Sequence, residues 1–209
     1  ELERFAFVCS HDMQEPLRMI RAFSERLQTH IASTLDGDEK SQRYLTVLMD
    51  GAERAQNLIT GVLAYSSLDQ TTSETENINL RQLVESIQNV MSKNLEDCGG
   101  KITFNDLPTV NGNKTQLYQL FQNLIINGLK YQGLGSEPHV HIEAEDAGTD
   151  WHFSIIDNGI GIDSRHIDKI FEVFQRLHRR AEYSGTGIGL SICKKIVEHH
   201  NGEIVENYS

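Results

Sequence analysis

The chain has 209 residues, with 19 Lys plus Arg against 30 Asp plus Glu, so its formal charge is −11. At 38% apolar and 23% charged residues it is globular in composition, which excludes a wholly disordered or collagen-like chain, and its acidity excludes a general DNA-coating or anionic-membrane surface. Three scattered cysteines (Cys9, Cys98, Cys193) give no CxxC metal spacing and suit a reducing, cytoplasmic compartment, and no apolar run approaches the roughly 20 residues that span a bilayer.

The chain opens Glu1-Leu2-Glu3-Arg4, which is no signal peptide, and without an initiator Met it reads as a piece of a longer protein. Residues 1–68 contain a single proline, Pro16. Leu2, Phe5, Cys9, Leu17, Ile20, Phe23, Leu27 and Ile31 recur at steps of mostly three or four, as do Tyr44, Leu48, Ala52, Ala55, Ile59 and Val62. Each set forms one apolar stripe on a helix, and Asp36-Gly37-Asp38 between them is a turn signal. Two helices alone cannot bury both stripes, so a homodimer forming a four-helix bundle is expected. The polar, Thr-rich residues 69–78 read as a linker.

From residue 79 onward the periods mix. Leu80, Leu83, Val84, Ile87, Val90 and Met91 predict a helix, and Ile102 and Phe104 a short strand. Leu117, Leu120, Phe121, Leu124 and Ile125 predict a second helix. Val140, Ile142 and Ala144, then Trp151, Phe153 and Ile155, alternate on either side of a polar turn and predict a hairpin. A last helix covers about 187–200, with Gly202 as its C-cap. Helices and antiparallel strands together give an α/β sandwich with helices on one face of a mixed sheet.

Four segments carry chemistry. Asp157-Asn158-Gly159-Ile160-Gly161-Ile162 follows a predicted strand; its glycines let backbone approach a ligand closely, and a carboxylate there can accept from an exocyclic amine such as adenine's. Gly185-Thr186-Gly187-Ile188-Gly189-Leu190 opens the last helix, where backbone N–H groups form an anion site suited to a polyphosphate. The second is neither a Walker loop nor a convincing dinucleotide fingerprint; alone, the first fits a plain strand-to-loop turn equally well, and the second has a flexible hinge as its lesser alternative. Asn123 and Asn127 lie four apart on one helix face with Lys130 beyond, an oxygen donor set for Mg²⁺ with a cation that reaches phosphate. His11, beside Asp12 and ahead of Pro16, combines an imidazole, a carboxylate that can fix its tautomer, and a helix kink. The pairs His139/His141 and His199/His200 have no Cys or further His at a zinc spacing, so no metal role is read for them.

Together these segments resemble the catalytic core of the sensor histidine kinases of two-component systems. Ser10-His11-Asp12 to Arg18 resembles the H box, Asn123 to Tyr131 the N box, Asp157 to Gly161 the G1 box, Phe171-Glu172-Val173-Phe174 the F box and Gly185 to Gly189 the G2 box. The H box and Phe174-Gln175-Arg176-Leu177-His178 are most similar to the phytochrome-like, PAS-linked branch. The resemblance implies a dimerisation and histidine-phosphotransfer hairpin (1–68), the linker (69–78) and an ATP-binding α/β sandwich of the gyrase and histidine-kinase type (79–209). It implies autophosphorylation of His11 from ATP, with Asp12 as base or orienting group, and transfer to an aspartate on a response regulator receiver domain. It implies that Asn127, helped by Asn123, holds Mg²⁺, that Asp157 reads the adenine amine, and that Lys130 and Tyr131 contact phosphates or ribose. Residues 175–184 become a lid anchored by packing of Phe171 and Phe174, with Arg176 as a γ-phosphate contact. Gly159, Gly161 and Ile162, and the 185–190 segment, complete the nucleotide site. An upstream sensor domain belongs to the full-length protein.

There are departures. Gly128 stands where the family usually has alanine, Glu15 stands where strong phosphatases carry Thr, Asn or Gln, and the family's further strand after Ile204 is not in the sequence. A non-enzymatic dimeric scaffold is the alternative from a different class. A gyrase-type or mismatch-repair ATPase is another, against which the His11-Asp12 hairpin discriminates.

Overall fold

In the computed structural model of the chain, residues 17–29, 39–68, 74–133, 135–175, 177, 183 and 186–206 are described. Its two units are Glu1–Thr71 and Thr72–Ser209. In the first unit, helix α1 covers 17–29 and α2 spans Glu39–Ser67. Leu45 and Ala52, two turns apart on α2, are buried, as is Ser24 on α1. The guanidinium of Arg21 on α1 is held above its usual range by the adjacent Glu25 (3.0 Å) and by the charge of Glu53 on α2.

The expected stripes divide differently from their sequence reading. Ala52 lies in the buried face and Ala55, Ile59 and Val62 are half-buried, but Tyr44 and Leu48 face solvent, with Leu48 55% exposed. On α1, Met19, Ile20, Phe23 and Leu27 are also exposed, Phe23 by 59%. The reason is geometric. One residue turns a helix by about 100°, so the face carrying Leu45 and Ala52 consumes the hairpin contact and leaves Tyr44, Val47 and Leu48 on the neighbouring face.

The second unit runs β1 (Glu76–Asn79), α3 (Leu80–Val90), α4 (Ser92–Cys98), β2 (Lys101–Phe104), β3 (Thr109–Gly112), α5 (Lys114–Lys130), β4 (His139–Asp146), β5 (Trp151–Asp157), a 3₁₀ turn (Ser164–Lys169) and α6 (Gly189–His199). Strand β1 occupies the end of the stretch expected as linker. It pairs antiparallel with β3, Ile78 opposite Val110. Only Ile78 of its four residues is buried, so there was no alternation to read. The other sheet has the order β2-β4-β5, with β2 parallel and β5 antiparallel to β4. The expected strand at Ile102 and Phe104 and the expected hairpin are both present.

Helix α5 packs against α3, α6, β4 and β5. Leu80, Val84, Ile87, Ile125, Val140, Ile142, Ile188, Cys193 and Ile196 are fully buried between these elements. The rings of Phe121 on α5 and Phe153 on β5 meet edge to face at 6.0 Å. Two helices of this unit start at side-chain caps: Asn79 accepts from Gln82 N–H at α3, and Asn113 accepts from Gln116 N–H at α5. At the far end of α6 the left-handed residue is Asn201 (φ 57°), and Gly202 N–H donates to Val197 O at 2.9 Å. The C-cap itself is His200, not Gly202, and the left-handed residue after it is of the type next best suited to that conformation. His200 joins the helix ends: its Nε2 accepts from Asn113 N–H at 3.1 Å.

Candidate functional site

The C-terminal half of α5 gathers two of the singled-out segments, and a third joins through the second. The first is the loop after β5. Asp157 is the last residue of β5, and its Oδ1 accepts from Gly159 N–H at 2.8 Å, turning the chain sharply. Ile160 N–H then donates to the carbonyl of Tyr131, at the end of α5, at 2.9 Å. A Cβ on Gly159 would run into that same carbonyl and lie 2.6 Å from Asp157 Oδ1, so only glycine fits. Asn158 fastens the loop on its other side. It accepts from His139 N–H through Oδ1 (2.8 Å) and donates to the carbonyl of Glu137 (2.9 Å).

The close approach of α5 to the sheet rests on Gly128. A Cβ there would lie 2.8 Å from Val140 Cγ2 and 3.1 Å from Asp157 Cβ. Its cost in helix propensity, about 0.5–1 kcal/mol, is smaller than the roughly 1–3 kcal/mol of forcing a methyl into a filled core. Gly128→Ala is therefore expected to lower stability by about 1 kcal/mol net, read as a lower urea midpoint at unchanged slope. A variant more stable than the parent overturns this account of the α5–sheet contact.

The second segment is the glycine-rich turn before α6. Gly187 adopts φ 75°, Ile188 is buried in the core, and Gly189 begins the helix. Asn123 of α5 reaches across to it, its amide Nδ2 donating to Gly189 O at 3.5 Å. The same side chain bonds to Cys193, whose thiol burial pushes up to about 12. Asn123 is thus engaged with α6. Asn127, one turn on, uses its backbone carbonyl for Tyr131 N–H (3.1 Å), while its half-buried carboxamide makes no hydrogen bond among the described residues.

Lys130 Nζ lies 4.6 Å from the centroid of the Tyr131 ring and 3.3 Å from its hydroxyl. Tyr131 in turn packs on Tyr183 at 5.0 Å, and the Tyr183 hydroxyl donates to Gln132 O at 2.8 Å. Tyr183 had no sequence signal, because its contacts lie some fifty residues away along the chain. The same holds for Glu206, half-buried, whose carboxyl is raised by burial and by the charge of Asp157.

The third segment is the phenylalanine pair. Phe171 is half-buried, but Phe174 is 55% exposed with φ 68°. The expected packing role of Phe174 is corrected: what ties it to the site is its backbone, whose N–H donates to Gly187 O at 3.0 Å. Gly161 (φ 68°) and half-buried Ile162 follow the Asp157 loop, and Thr186 and Leu190 flank the α6 turn. His11, Asp12, Glu15, Arg176 and Gly185 lie outside the described residues. An open cleft of about 360 Å³ lined by Lys194, Glu198, Gly202, Glu203 and Ile204 contains none of the candidate residues.

Residues 112–207 match the family described as histidine kinase-, DNA gyrase B- and HSP90-like ATPase, and residues 1–71 match the His Kinase A (phospho-acceptor) domain. The chain belongs to the sensor histidine kinases. It is 42% identical over 204 residues to cyanobacterial phytochrome A of Nostoc sp., covering 98% of this chain and 26% of that protein. This agrees with the phytochrome-like wording of its H box. The fold is shared with full-length ShkA in complex with AMPPNP (TM-score 0.69, 21% identity, 93% of this chain and 40% of that one). It is shared also with ThkA in complex with the response regulator protein TrrA (TM-score 0.64, 23% identity, 98% of this chain and 57% of that one). The histidine kinase chain spans about a quarter of the length of the curated relatives it matches first. Among the described residues no helix is long and apolar enough to cross a membrane.

Proposed function

We propose that this chain binds ATP with Mg²⁺ in its second unit, phosphorylates His11 in its first, and passes the phosphoryl group to an aspartate of a response regulator receiver domain. The observation that carries the reading is the convergence on α5: Asp157 against Gly128, the Gly159 turn on Tyr131, and Asn123 on Gly189. The family matches and the AMPPNP bound by ShkA support a nucleotide there. TrrA bound to ThkA supports the regulator. The proposal extends to a cytoplasmic homodimer that receives its signal from an upstream sensor domain.

In this reading Asp157 accepts from the adenine amine, and the backbone of Gly159, Gly161 and Ile162 lines the base. The turn of 185–190, with Phe171 and Phe174 behind it, receives the phosphates, and Lys130 and Arg176 supply cations. Tyr131 borders the ribose. Asn127 fits a magnesium ion, since its unengaged carboxamide offers a hard oxygen to a metal that otherwise keeps waters and phosphate oxygens; Asn123 serves mainly to hold the α6 turn. Magnesium supplies charge neutralisation on the transferring phosphoryl group. Asp12 orients the His11 imidazole and accepts its proton as the N–P bond forms and the bond from the γ-phosphorus to its bridging oxygen breaks, ADP leaving. Glu15, four residues after His11, repels an incoming phospho-aspartate, so phosphatase activity is expected to be weak.

Incubation with γ-labelled ATP tests the whole reading. An acid-labile, base-stable label is expected, as phosphohistidine requires; an acid-stable label, or none, overturns it. The adenine contact has its own test. Asp157→Asn exchanges an acceptor for a group that can turn donors toward the amine, and loss of a charged hydrogen bond costs about 1.5–3 kcal/mol. Calorimetry should show ATP binding weakened about 10- to 100-fold. An unchanged Kd removes Asp157 from the base site.

A further inference from the structure

We propose that His139, His141 and Thr103 form a second, separate site on the outer face of the sheet, for a divalent transition-metal ion of the zinc class. Alternation along β4 puts His139, His141 and Glu143 on one face and Val140 on the other. Val140 pairs with Asp157 and meets α5 at Gly128, so the histidines lie on the face opposite the proposed nucleotide site. The parallel pairing of β2 sets Lys101 beside His139 and Thr103 beside His141. The hydroxyl of Thr103 consequently meets both rings: Oγ1 is 2.8 Å from His139 Nε2 and 2.7 Å from His141 Nδ1, with the ring centroids 6.4 Å apart.

The hydrogen bonds decide which nitrogen holds a lone pair. A hydroxyl has one proton, so Thr103 can donate to only one ring. His141 Nε2 lies 3.3 Å from Glu143 Oε1, an acceptor, and therefore carries the proton. Its Nδ1 is left bare, accepting from Thr103, and His139 Nε2 donates to the same oxygen. An arriving ion takes the His141 Nδ1 lone pair as it stands. His139 moves its proton from Nε2 to Nδ1 and presents the second, so no proton need leave the protein. Imidazole nitrogens suit zinc, copper and nickel, and a carboxylate on the far nitrogen of a ligating histidine is the usual supporting contact. The Thr103 hydroxyl and solvent complete the coordination.

Among the described residues no three His, Cys, Asp or Glu side chains surround one point. The third donor here is a hydroxyl supplied by a non-local strand, which is why the His-x-His spacing alone gave no metal reading. His141 is about one-third exposed, so an ion can reach the site from solvent. His139 is also bonded through its backbone to Asn158, the residue after Asp157 (2.8 and 3.3 Å). Occupancy is therefore expected to register at the Asn158 amide.

Zinc chloride titrated into the 209-residue chain, with excess Mg²⁺ and no nucleotide, tests the proposal by calorimetry and ¹H–¹⁵N spectra. The expected result is saturable binding that shifts the imidazole signals of His139 and His141 and the Asn158 amide. His139→Gln and His141→Gln should each remove this binding, and Glu143→Gln should weaken it roughly tenfold, the low end of the effect of losing a supporting carboxylate. His152→Gln, on the neighbouring strand, should leave it unchanged. His139 and His152 are exposed and His141 and Glu143 half-buried, and matching circular dichroism checks that each variant folds. Absence of zinc binding in the parent, or binding that survives both single histidine replacements, overturns the site.

Discussion

Replacing His11 by Gln should abolish labelling from γ-labelled ATP while leaving the affinity for ATP nearly unchanged. The separation follows from the division of the chain. The groups proposed to hold ATP all belong to the second unit, which has its own buried core from Leu80 to Ile196, whereas His11 belongs to the first. An imidazole next to a carboxylate keeps one nitrogen protonated toward the acid and the other free to attack; a carboxamide of similar size has no such lone pair. The effect is therefore loss of the reaction rather than a fractional change. Asp12→Asn should lower the rate without abolishing it, because it removes the proton acceptor and leaves the nucleophile. If His11→Gln still takes up acid-labile label, the nucleophile is another histidine and the assignment falls. If ATP binding is lost with it, the two units are not independent and the proposed division of labour falls.

How much of this was readable depended on whether the decisive contacts were local. The helices α3, α5 and α6 and the β4–β5 hairpin declared themselves by period, since each buries one face of a regular element. Strands β1 and β3 did not: with Ile78 as its one buried residue, β1 reads as part of a polar linker. Among the candidate site residues, Asp157 and Asn127 stand out in the sequence because their residue types and spacing carry chemistry by themselves. Gly128 looked like a mid-helix liability until Val140 and Asp157 were seen against it. Asn123, read as a helper to a metal ion, also reaches Gly189 and Cys193, contacts that its spacing does not report. Phe174 looked like an anchor because phenylalanine is usually buried; its left-handed backbone turns the ring outward and leaves its N–H as the useful group. The misread positions share a cause. Each is decided by a partner at least twelve residues distant, which no local pattern reports.

The last expectation concerns assembly. In the first unit Leu48 is 55% and Phe23 59% exposed, with Ile20 and Leu27 beside Phe23 at helical spacing. Apolar faces of this kind on both helices of a hairpin mark an interaction surface, and a second copy presents the same faces by symmetry. Burying each such side chain contributes about 1.5–3 kcal/mol, so several per subunit exceed the entropic cost of association, itself of order 10 kcal/mol. Leu48→Glu and Phe23→Glu discriminate well because both positions are open in a single copy. In a monomer the carboxylate stays in water and costs little. In a four-helix bundle it is forced, once from each subunit, into an apolar seam without a partner, which is strongly unfavourable. Ile59, in the same stripe, is half-buried within its own unit, so a charge there would confound folding with assembly. Light scattering at micromolar concentration should give the parent twice the 23.7 kDa chain mass and the double variant a single chain mass, with the melting transition of the second unit retained. A parent that runs as a monomer, or a double variant that stays dimeric, refutes the bundle.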